Sequence, residues 1–204
     1  MIDINLQNVT IKNKENLKRT WQTQSGHVKN YTAAMHHSEL GGDPEFLNLW
    51  KMHFSEFSGK VLEIGAGTGF LARNILEKNK NIDYTILDIE RHFPYIQETL
   101  SAFEDVEYVK SSEYEKIFDE NWDLLVTTNC LSETPRYYYT DILNNLNTKA
   151  CFIVDYSGDP NDPHFDKTIW DWVQGFGKHE VSMNLEVAGA RKIGGIPVYI
   201  GREE

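Results

Sequence analysis

The stretch Val61-Leu-Glu-Ile-Gly-Ala-Gly-Thr-Gly-Phe70 decides the fold of this chain. An apolar run ends in three glycines at alternating positions, 65, 67 and 69, and a helical pattern begins directly after them. Glycines at a strand-to-helix turn allow a tight backbone path and let a ligand approach the main chain closely. A dinucleotide-binding loop would place its third glycine one residue later, where this chain has Phe70. The stretch therefore predicts a ligand-binding loop of another kind after the first strand.

Beyond the glycine loop, short β-branched runs alternate with helical stretches. Strands are expected at residues 60–64, 84–88, 106–109, 123–128 and 150–155, with helices between most of them. This alternation predicts βαβ units and a parallel sheet that is covered on both faces. Two later runs, 181–187 and 196–201, have no helical pattern between them. They are therefore expected to pair as an antiparallel hairpin.

The residues before the glycine loop lack this alternation. Asp43, Pro44 and Glu45 are typical of a helix start, as N-cap, first helical residue and first-turn acid. Aromatic and aliphatic residues then follow at helical spacing as far as Phe57. We therefore expect a helical N-terminal cap over residues 1–57 and an α/β core over residues 58–204.

The composition limits the partners and the compartment. The 204 residues include 20 Lys and Arg against 31 Asp and Glu, a formal net charge of −11, which disfavours phosphate backbones and anionic lipid surfaces. The two cysteines, Cys130 and Cys151, do not have metal-ligand spacing and are too few for a disulfide framework. No basic-then-apolar signal pattern opens the chain, and no window is apolar enough for a membrane span. We expect a cytoplasmic protein with no nucleic-acid partner and no membrane insertion.

The glycine loop and its surroundings resemble one family. Glu63 stands two residues before the first glycine, and Asp88 ends the second predicted strand, where an acid can accept hydrogen bonds from ribose hydroxyls. In these features the chain resembles the class I S-adenosylmethionine-dependent methyltransferases. The resemblance implies a Rossmann-like, seven-stranded, mostly parallel sheet ending in the antiparallel hairpin. It also implies S-adenosylmethionine as the cofactor.

The same resemblance implies which residues bind the cofactor. Glu63 and the loop would line its methionine side, Asp88 its ribose, and residues after the second and third strands its adenine. The implied set is Glu63, Gly65, Ala66, Gly67, Gly69, Asp88, Ile89, Ser112 and Asn129. For the adenine amine, Glu113 is an alternative to Ser112.

A polar segment follows the fourth predicted strand. It contains Asn129, Ser132 and Glu133, and it is similar to a segment of putative bacterial sugar O-methyltransferases. A different interpretation is that Ser132 caps the next helix, with Glu133 and Pro135 in its first turn. The two interpretations are compatible.

A hydroxyl acceptor would need a base within hydrogen-bond reach. The candidates are Glu133 after the fourth strand and the histidines His36 and His37 in the N-terminal arm, although adjacent histidines on a polar stretch also suit a solvated surface. Asp155, with Tyr156, follows the fifth predicted strand and is a further candidate for the base. The acidic loop over 155–166 is interpreted as turn chemistry, and no metal is expected.

The predicted activity is methyl transfer from S-adenosylmethionine to a small acceptor. The favoured acceptor is a hydroxyl of a sugar or nucleotide-sugar in bacterial surface polysaccharide synthesis. Amine, carboxylate and phosphoramidate acceptors fit the same residues, and protein or RNA substrates are further alternatives. A non-catalytic subunit that only binds the cofactor is another, because these motifs indicate binding rather than turnover.

Overall fold

The computed structural model describes residues 50–128, 130–131, 134–154, 178–185 and 196–202. The helix start predicted at Asp43 and Pro44 lies outside these ranges. Residues 50–54 are helical. The proposed division of the chain at residue 57 stays a prediction.

A seven-stranded sheet forms the centre of the fold. Its strands are β1 (Gly59–Ile64), β2 (Ile82–Asp88), β3 (Glu107–Lys110), β4 (Leu124–Thr128), β5 (Ala150–Val154), β6 (Lys178–Leu185) and β7 (Ile196–Arg202). Their order across the sheet is β3-β2-β1-β4-β5-β7-β6. Pairing is parallel from β3 to β5, whereas β7 runs antiparallel to both β5 and β6. The predicted α/β class, with a mostly parallel sheet ending in an antiparallel hairpin, is confirmed.

The connections between successive strands from β1 to β5 contain helical segments. They include the α-helices α1 (Phe70–Lys78), α2 (Phe93–Thr99) and α3 (Arg136–Asn145) and the 3-10 segments Glu90–His92 and Ser111–Asp119. Two short strands, Asn121–Trp122 and Asn147–Thr148, pair with each other in a separate parallel ladder. No helix within the described ranges is long and apolar enough to cross a bilayer.

Each face of the sheet carries its own apolar core. Val61, Leu124 and Phe152 belong to the cluster that includes residues of α1 and α2. Leu62 and Leu125, each one residue further along its strand, belong to the cluster that includes residues of α3. Successive side chains of a strand point to opposite faces, so near-continuous apolar strands are what a sheet covered on both sides requires.

The described N-terminal residues are joined to the sheet by aromatic packing. Trp50 and Phe54 are almost fully buried, and each ring lies 5.7 Å from the ring of Phe152 in an edge-on arrangement. Such pairs add about 0.5–1.5 kcal/mol beyond the area that they bury. The apolar face predicted from Trp50 and Phe54 therefore packs against the central sheet.

Asn79, the residue that ends α1, ties this N-terminal stretch to the core. Its side-chain amide donates to the carbonyl oxygens of Ser55 at 2.9 Å, Phe54 at 3.3 Å and Phe57 at 3.4 Å. The side chain is buried. Backbone carbonyls left without a donor in a buried place cost their full desolvation.

Replacing Asn79 by alanine should therefore lower the free energy of unfolding by about 1–3 kcal/mol. The matched control is Asn74→Ala, because the Asn74 amide donates to the Phe70 carbonyl of its own helix and alanine favours a helix. The control should change stability by less than about 0.5 kcal/mol. Urea unfolding of the three proteins gives both values, and equal effects at the two positions would contradict the tethering role of Asn79.

One predicted helix start is wrong. The α3 helix begins at Arg136, and its N-cap is Pro135, without a side-chain capping hydrogen bond. The alternative interpretation, with the N-cap at residue 132, therefore places the helix start three residues too early. The 3-10 segment Ser111–Asp119 was not predicted either, because a helix with three residues per turn does not produce the 3.6-residue apolar period.

Candidate functional site

The glycine loop lies where β1, β2 and β4 end, at the carboxyl edge of the sheet. Ile64, Leu87 and Thr127 pair across these three neighbouring strands. In open α/β sheets this edge is the place where ligands bind. Gly65 and Gly67 follow β1 with φ angles of +79° and +62°, in the left-handed region that favours glycine.

Gly65 also lacks room for a side chain. A β-carbon at this position would overlap both the Cβ and the Sγ of Cys130, which follows β4. The Gly65 amide donates to the Leu87 carbonyl of β2 at 2.9 Å, so the residue is held from the other side as well. Thr134 in turn donates from Oγ1 to the Cys130 carbonyl at 2.8 Å. The segment after β4 is therefore in direct contact with the glycine loop.

The Asp88 carboxylate connects the loop to the end of β2. Its Oδ2 accepts a hydrogen bond from the Gly67 amide at 2.9 Å, and its Oδ1 accepts one from the Ile89 amide at 2.6 Å. The Asp88 side chain is almost fully buried. These two hydrogen bonds tie the loop after β1 to the turn after β2 through one buried side chain.

His92 is a residue of this site that sequence analysis did not find. Its Nδ1 lies 2.9 Å from Oδ1 of Asp88, and its side chain is only 10% exposed. The contact depends on the 3-10 segment Glu90–His92, in which the His92 amide donates to the Ile89 carbonyl at 2.9 Å. The signal in the sequence is the four-residue spacing of an acid and a histidine, which brings two side chains together only when a helical turn lies between them.

Glu63 is the second acid of the site, and it is fully buried. Tyr84 of β2 donates from its hydroxyl to Oε2 of Glu63 at 3.0 Å. The other oxygen, Oε1, is buried without a hydrogen-bond partner in the described part of the chain. Burial raises the pKa of Glu63 to about 8, against the opposing effect of the Tyr84 hydrogen bond. The side chain is therefore largely protonated at neutral pH and has an unused polar atom beside the glycine loop.

Ser112 lies at the end of β3 near the same edge. Its hydroxyl donates to Oε1 of Glu90 at 3.3 Å, and Lys110 places its ammonium 3.6 Å from the same oxygen. Glu90 comes two residues after Asp88, so Ser112 is joined to the turn that follows β2. Its predicted contact with adenine stays a prediction.

The remaining predicted site residues lie outside the described ranges. These are the candidate bases His36, His37 and Glu133, the candidate cofactor residue Asn129, and the acidic loop from Asp155 to Asp166. The structure does describe two neighbours of this group, Cys130 and Leu131. Leu131 is fully buried in the apolar cluster of the α3 face.

These contacts define what the site can bind. Gly65 and Gly67 turn the main chain at this edge, the Asp88 carboxylate lies against the loop, and Glu63 has one oxygen without a partner in the described part of the chain. Such a combination suits a molecule with vicinal hydroxyls at one end and a cation at the other.

Comparisons with known proteins agree with this chemistry. Residues 62–150 match the model of a family described as a methyltransferase domain. A curated relative, the highly reducing polyketide synthase VdtX of Byssochlamys spectabilis, is 29% identical over 149 residues, which are 65% of this chain. The chain spans only 6% of the length of that relative.

Solved structures give the same architecture. A SAM-dependent methyltransferase from Aquifex aeolicus aligns with a TM-score of 0.58 and 14% identity over 85% of this chain and 97% of its own. The plantazolicin methyltransferase BpumL, solved in complex with a triazolic desmethylPZN analog and SAH, aligns with a TM-score of 0.54 and 11% identity. That alignment covers 94% of this chain and 96% of BpumL. At such identities these likenesses show the fold.

Proposed function

We propose that this protein, whose residues 62–150 form a methyltransferase domain of the class I S-adenosylmethionine-dependent fold, methylates a hydroxyl of a small sugar-like acceptor. S-adenosylmethionine is the cofactor of this domain. The observation that carries the proposal is the joining of the glycine loop to Asp88 through the Gly67 amide. The acceptor class and the individual residue roles below are parts of the proposal.

The site residues fit the cofactor. The glycine loop would hold its methionine part, because the left-handed φ angles of Gly65 and Gly67 turn the main chain at the carboxyl edge of the sheet. Oε1 of Glu63, buried and without a partner in the described ranges, suits the ammonium group of that part. Asp88 would accept hydrogen bonds from the ribose hydroxyls. When bound, the cofactor would supply a methyl group attached to a positively charged sulfur, and S-adenosylhomocysteine would be the leaving group.

The chain would contribute alignment, exclusion of water and a base. Alignment of the reacting atoms supplies much of the rate in such a displacement. A hydroxyl acceptor must also lose its proton, and Glu133, His36 and His37 are the proposed bases. Glu133 lies three residues beyond Cys130, whose side chain borders Gly65. This proximity in the chain favours Glu133 among the three.

The proposed acceptor is a sugar or nucleotide-sugar of a bacterial surface polysaccharide. Support comes from the resemblance of the segment around Asn129, Ser132 and Glu133 to sugar O-methyltransferases. The excess of acidic residues, with a net charge of −11, also disfavours RNA as the substrate. We propose that residues 1–57 cap the acceptor side and that the reaction takes place in the cytoplasm.

Label transfer tests this proposal. The full chain is incubated with methyl-labelled S-adenosylmethionine and a bacterial extract, which is then separated into small metabolites, saccharides, protein and RNA. We expect label in the saccharide or nucleotide-sugar fraction. The rate should fall by about 100-fold in Glu133→Gln, since a positioned base contributes roughly 100- to 10,000-fold.

The controls separate binding from turnover. Glu77→Gln is a matched control, because Glu77 is an exposed acid of α1 that pairs with Arg73. It should keep the wild-type rate of transfer. Label confined to protein or RNA would overturn the sugar acceptor. Absence of label in every fraction, together with measured cofactor binding, would favour a cofactor-binding subunit that needs a partner.

A further inference from the structure

The Asp88 carboxylate has three hydrogen-bonding partners within the protein itself. It accepts hydrogen bonds from two backbone amides, those of Gly67 and Ile89, and it contacts His92 through Nδ1. A carboxylate offers about four lone-pair directions. Three of these are used inside the protein, so the rotation of the carboxylate is fixed and little acceptor capacity is left.

We propose that His92 is a positioning residue for the cofactor, which holds Asp88 so that its remaining acceptor direction faces the ribose hydroxyls. The inference rests on the proposed function, in which Asp88 binds the ribose. His92 would act only through Asp88 and would not touch the reacting atoms. The ligand feature that it selects is a ribose hydroxyl of a nucleoside.

The two oxygens of Asp88 have different attachments. Oδ2 is held by the Gly67 amide, so it is tied to the loop that follows β1. Oδ1 is held by the Ile89 amide and by His92, both of which belong to the turn that follows β2. Loss of the imidazole would leave Oδ1 with one short-range partner, and the carboxylate could rotate toward the space left behind. The ribose acceptor would then be lost from its place before any cofactor binds.

The proton on the imidazole follows from its partner. A neutral ring can donate to the carboxylate only from Nδ1, so Nε2 is left as an acceptor. Nε2 is buried and has no hydrogen-bond partner in the residues that the structure describes. An apolar side chain would fill the same space without the cost in stability of an unpaired buried nitrogen. The histidine therefore has a reason other than packing. Among the described residues, the one polar contact of the ring is with Asp88, which agrees with a positioning role.

The geometry of this contact defines the variants. The amide nitrogen of asparagine can take the place of Nδ1, so His92→Asn should keep the donor. His92→Leu removes the donor and keeps part of the volume. His92→Gln is a second removal variant, because its amide reaches the position of Nε2 instead, and it serves if His92→Leu does not fold.

A double-mutant cycle tests the inference. The dissociation constant of S-adenosylhomocysteine is measured by calorimetry for the full-length wild type, His92→Leu, Asp88→Asn and the double variant. We expect His92→Leu to raise the constant roughly tenfold, corresponding to about 1.4 kcal/mol. The same change should have less than about a twofold effect in the Asp88→Asn background, because its partner has then lost the charge. His92→Asn should stay within about threefold of the wild type.

A second ligand gives a readout that a purely structural role would not move. For the 2′-deoxy analogue of S-adenosylhomocysteine, the effect of His92→Leu should shrink, since one of the hydroxyl donors is absent. In turnover, the KM for S-adenosylmethionine should rise while kcat stays within about twofold, because the residue orients a binding group and not the reacting atoms.

The outcomes separate the inference from the proposed function. Additive losses in the cycle, or an equal loss with the 2′-deoxy analogue, would overturn the positioning role of His92 and leave Asp88 as the ribose ligand. Wild-type affinity of Asp88→Asn would instead remove the proposed ribose site itself. A His92→Asn variant that binds as poorly as His92→Leu would also count against the inference.

Discussion

Replacing Gly65 by alanine is expected to weaken cofactor binding by roughly 30-fold or more and to destabilise the whole domain. The φ angle of Gly65 is +79°, a conformation that costs a residue with a β-carbon about 1–2 kcal/mol. The new β-carbon would also overlap the side chain of Cys130, and overpacking typically costs another 1–3 kcal/mol. We expect the free energy of unfolding to fall by about 2–5 kcal/mol. Chemical denaturation measures this change.

The effect on cofactor binding follows from the same contact. If the loop of the variant moves to relieve the overlap, it must return to the strained conformation in order to bind the cofactor. The free energy of this strain is then subtracted from the binding free energy. A cost of about 2 kcal/mol or more raises the dissociation constant roughly 30-fold or more. Calorimetry with S-adenosylhomocysteine checks this value.

Gly69→Ala is the matched control for the cost of a positive φ angle alone. Gly69 has a φ angle of +81°, but a β-carbon there would lie 3.3 Å from its nearest neighbour, the Cγ2 of Ile96, which is a tight contact and not an overlap. It should therefore cost only about 1–2 kcal/mol. Cys130→Gly should restore more of the stability of Gly65→Ala than Cys130→Ala does, because Cys130→Ala removes only the Sγ and leaves the Cβ in the overlap. Equal effects at positions 65 and 69 would show that the contact with Cys130 has no energetic role.

The parts of the structure that sequence analysis predicted are those that depend on local patterns. The order of strands up to residue 154 followed from apolar runs bounded by turns. The need for glycine at 65, 67 and 69 followed from their spacing after a buried strand. Glu63 and Asp88 were singled out from their places at the ends of two strands. In the structure Asp88 accepts a hydrogen bond from the Gly67 amide of the glycine loop, and Glu63 accepts one from Tyr84 of β2.

The contacts that were missed are those that depend on long-range packing or on an irregular turn. The sequence does not show that Cys130 lies against Gly65, because this needs β4 to be the neighbour of β1 in the sheet. Nor does it show that Asn79 holds three carbonyls of the preceding segment. His92 reaches Asp88 only because residues 90–92 form a 3-10 turn. Short 3-10 turns leave no periodic signal in a sequence.

The start of the helix after β4 was predicted wrongly for a third reason. Ser, Glu and Pro near residues 132–135 are typical of a helix start, yet α3 begins at Arg136. Thr134 donates from its side chain to the Cys130 carbonyl, so this polar residue serves the turn and not the helix. Hydroxyl side chains can bond to the backbone in turns as well as at caps, and the sequence alone does not distinguish the two.

Glu63 is expected to make the stability of the cofactor-free protein depend on pH. Its pKa in the folded protein is raised to about 8 by burial, from an ordinary value of 4.5. Between these values the folded chain holds a proton that the unfolded chain releases. The stabilising contribution is therefore complete below about pH 4.5 and is lost as the pH rises through about 8, with a slope of up to about 1.4 kcal/mol per pH unit.

Glu63→Gln removes this dependence, because glutamine mimics the protonated acid at every pH. We expect the difference in unfolding free energy between the variant and the wild type to grow in favour of the variant from pH 5 to pH 8. Glu98→Gln, which changes an exposed acid of α2, is the matched control and should run parallel to the wild type. Urea unfolding at several pH values gives the curves. Parallel curves for Glu63→Gln and the wild type would mean that Glu63 is already ionised in the folded protein.

The proton that Glu63 holds in the cofactor-free protein should be released when the cofactor binds. An ammonium group beside Oε1 would favour the charged form of Glu63, so binding near pH 7 should release a fraction of a proton that approaches one per chain. Calorimetric titrations in buffers of different ionisation enthalpy count this proton. Glu63→Gln should release none and should bind at least about tenfold more weakly, because it lacks the charge that pairs with the cation. Proton release that is unchanged in Glu63→Gln would assign the titration to another group and would place the ammonium away from the buried end of β1.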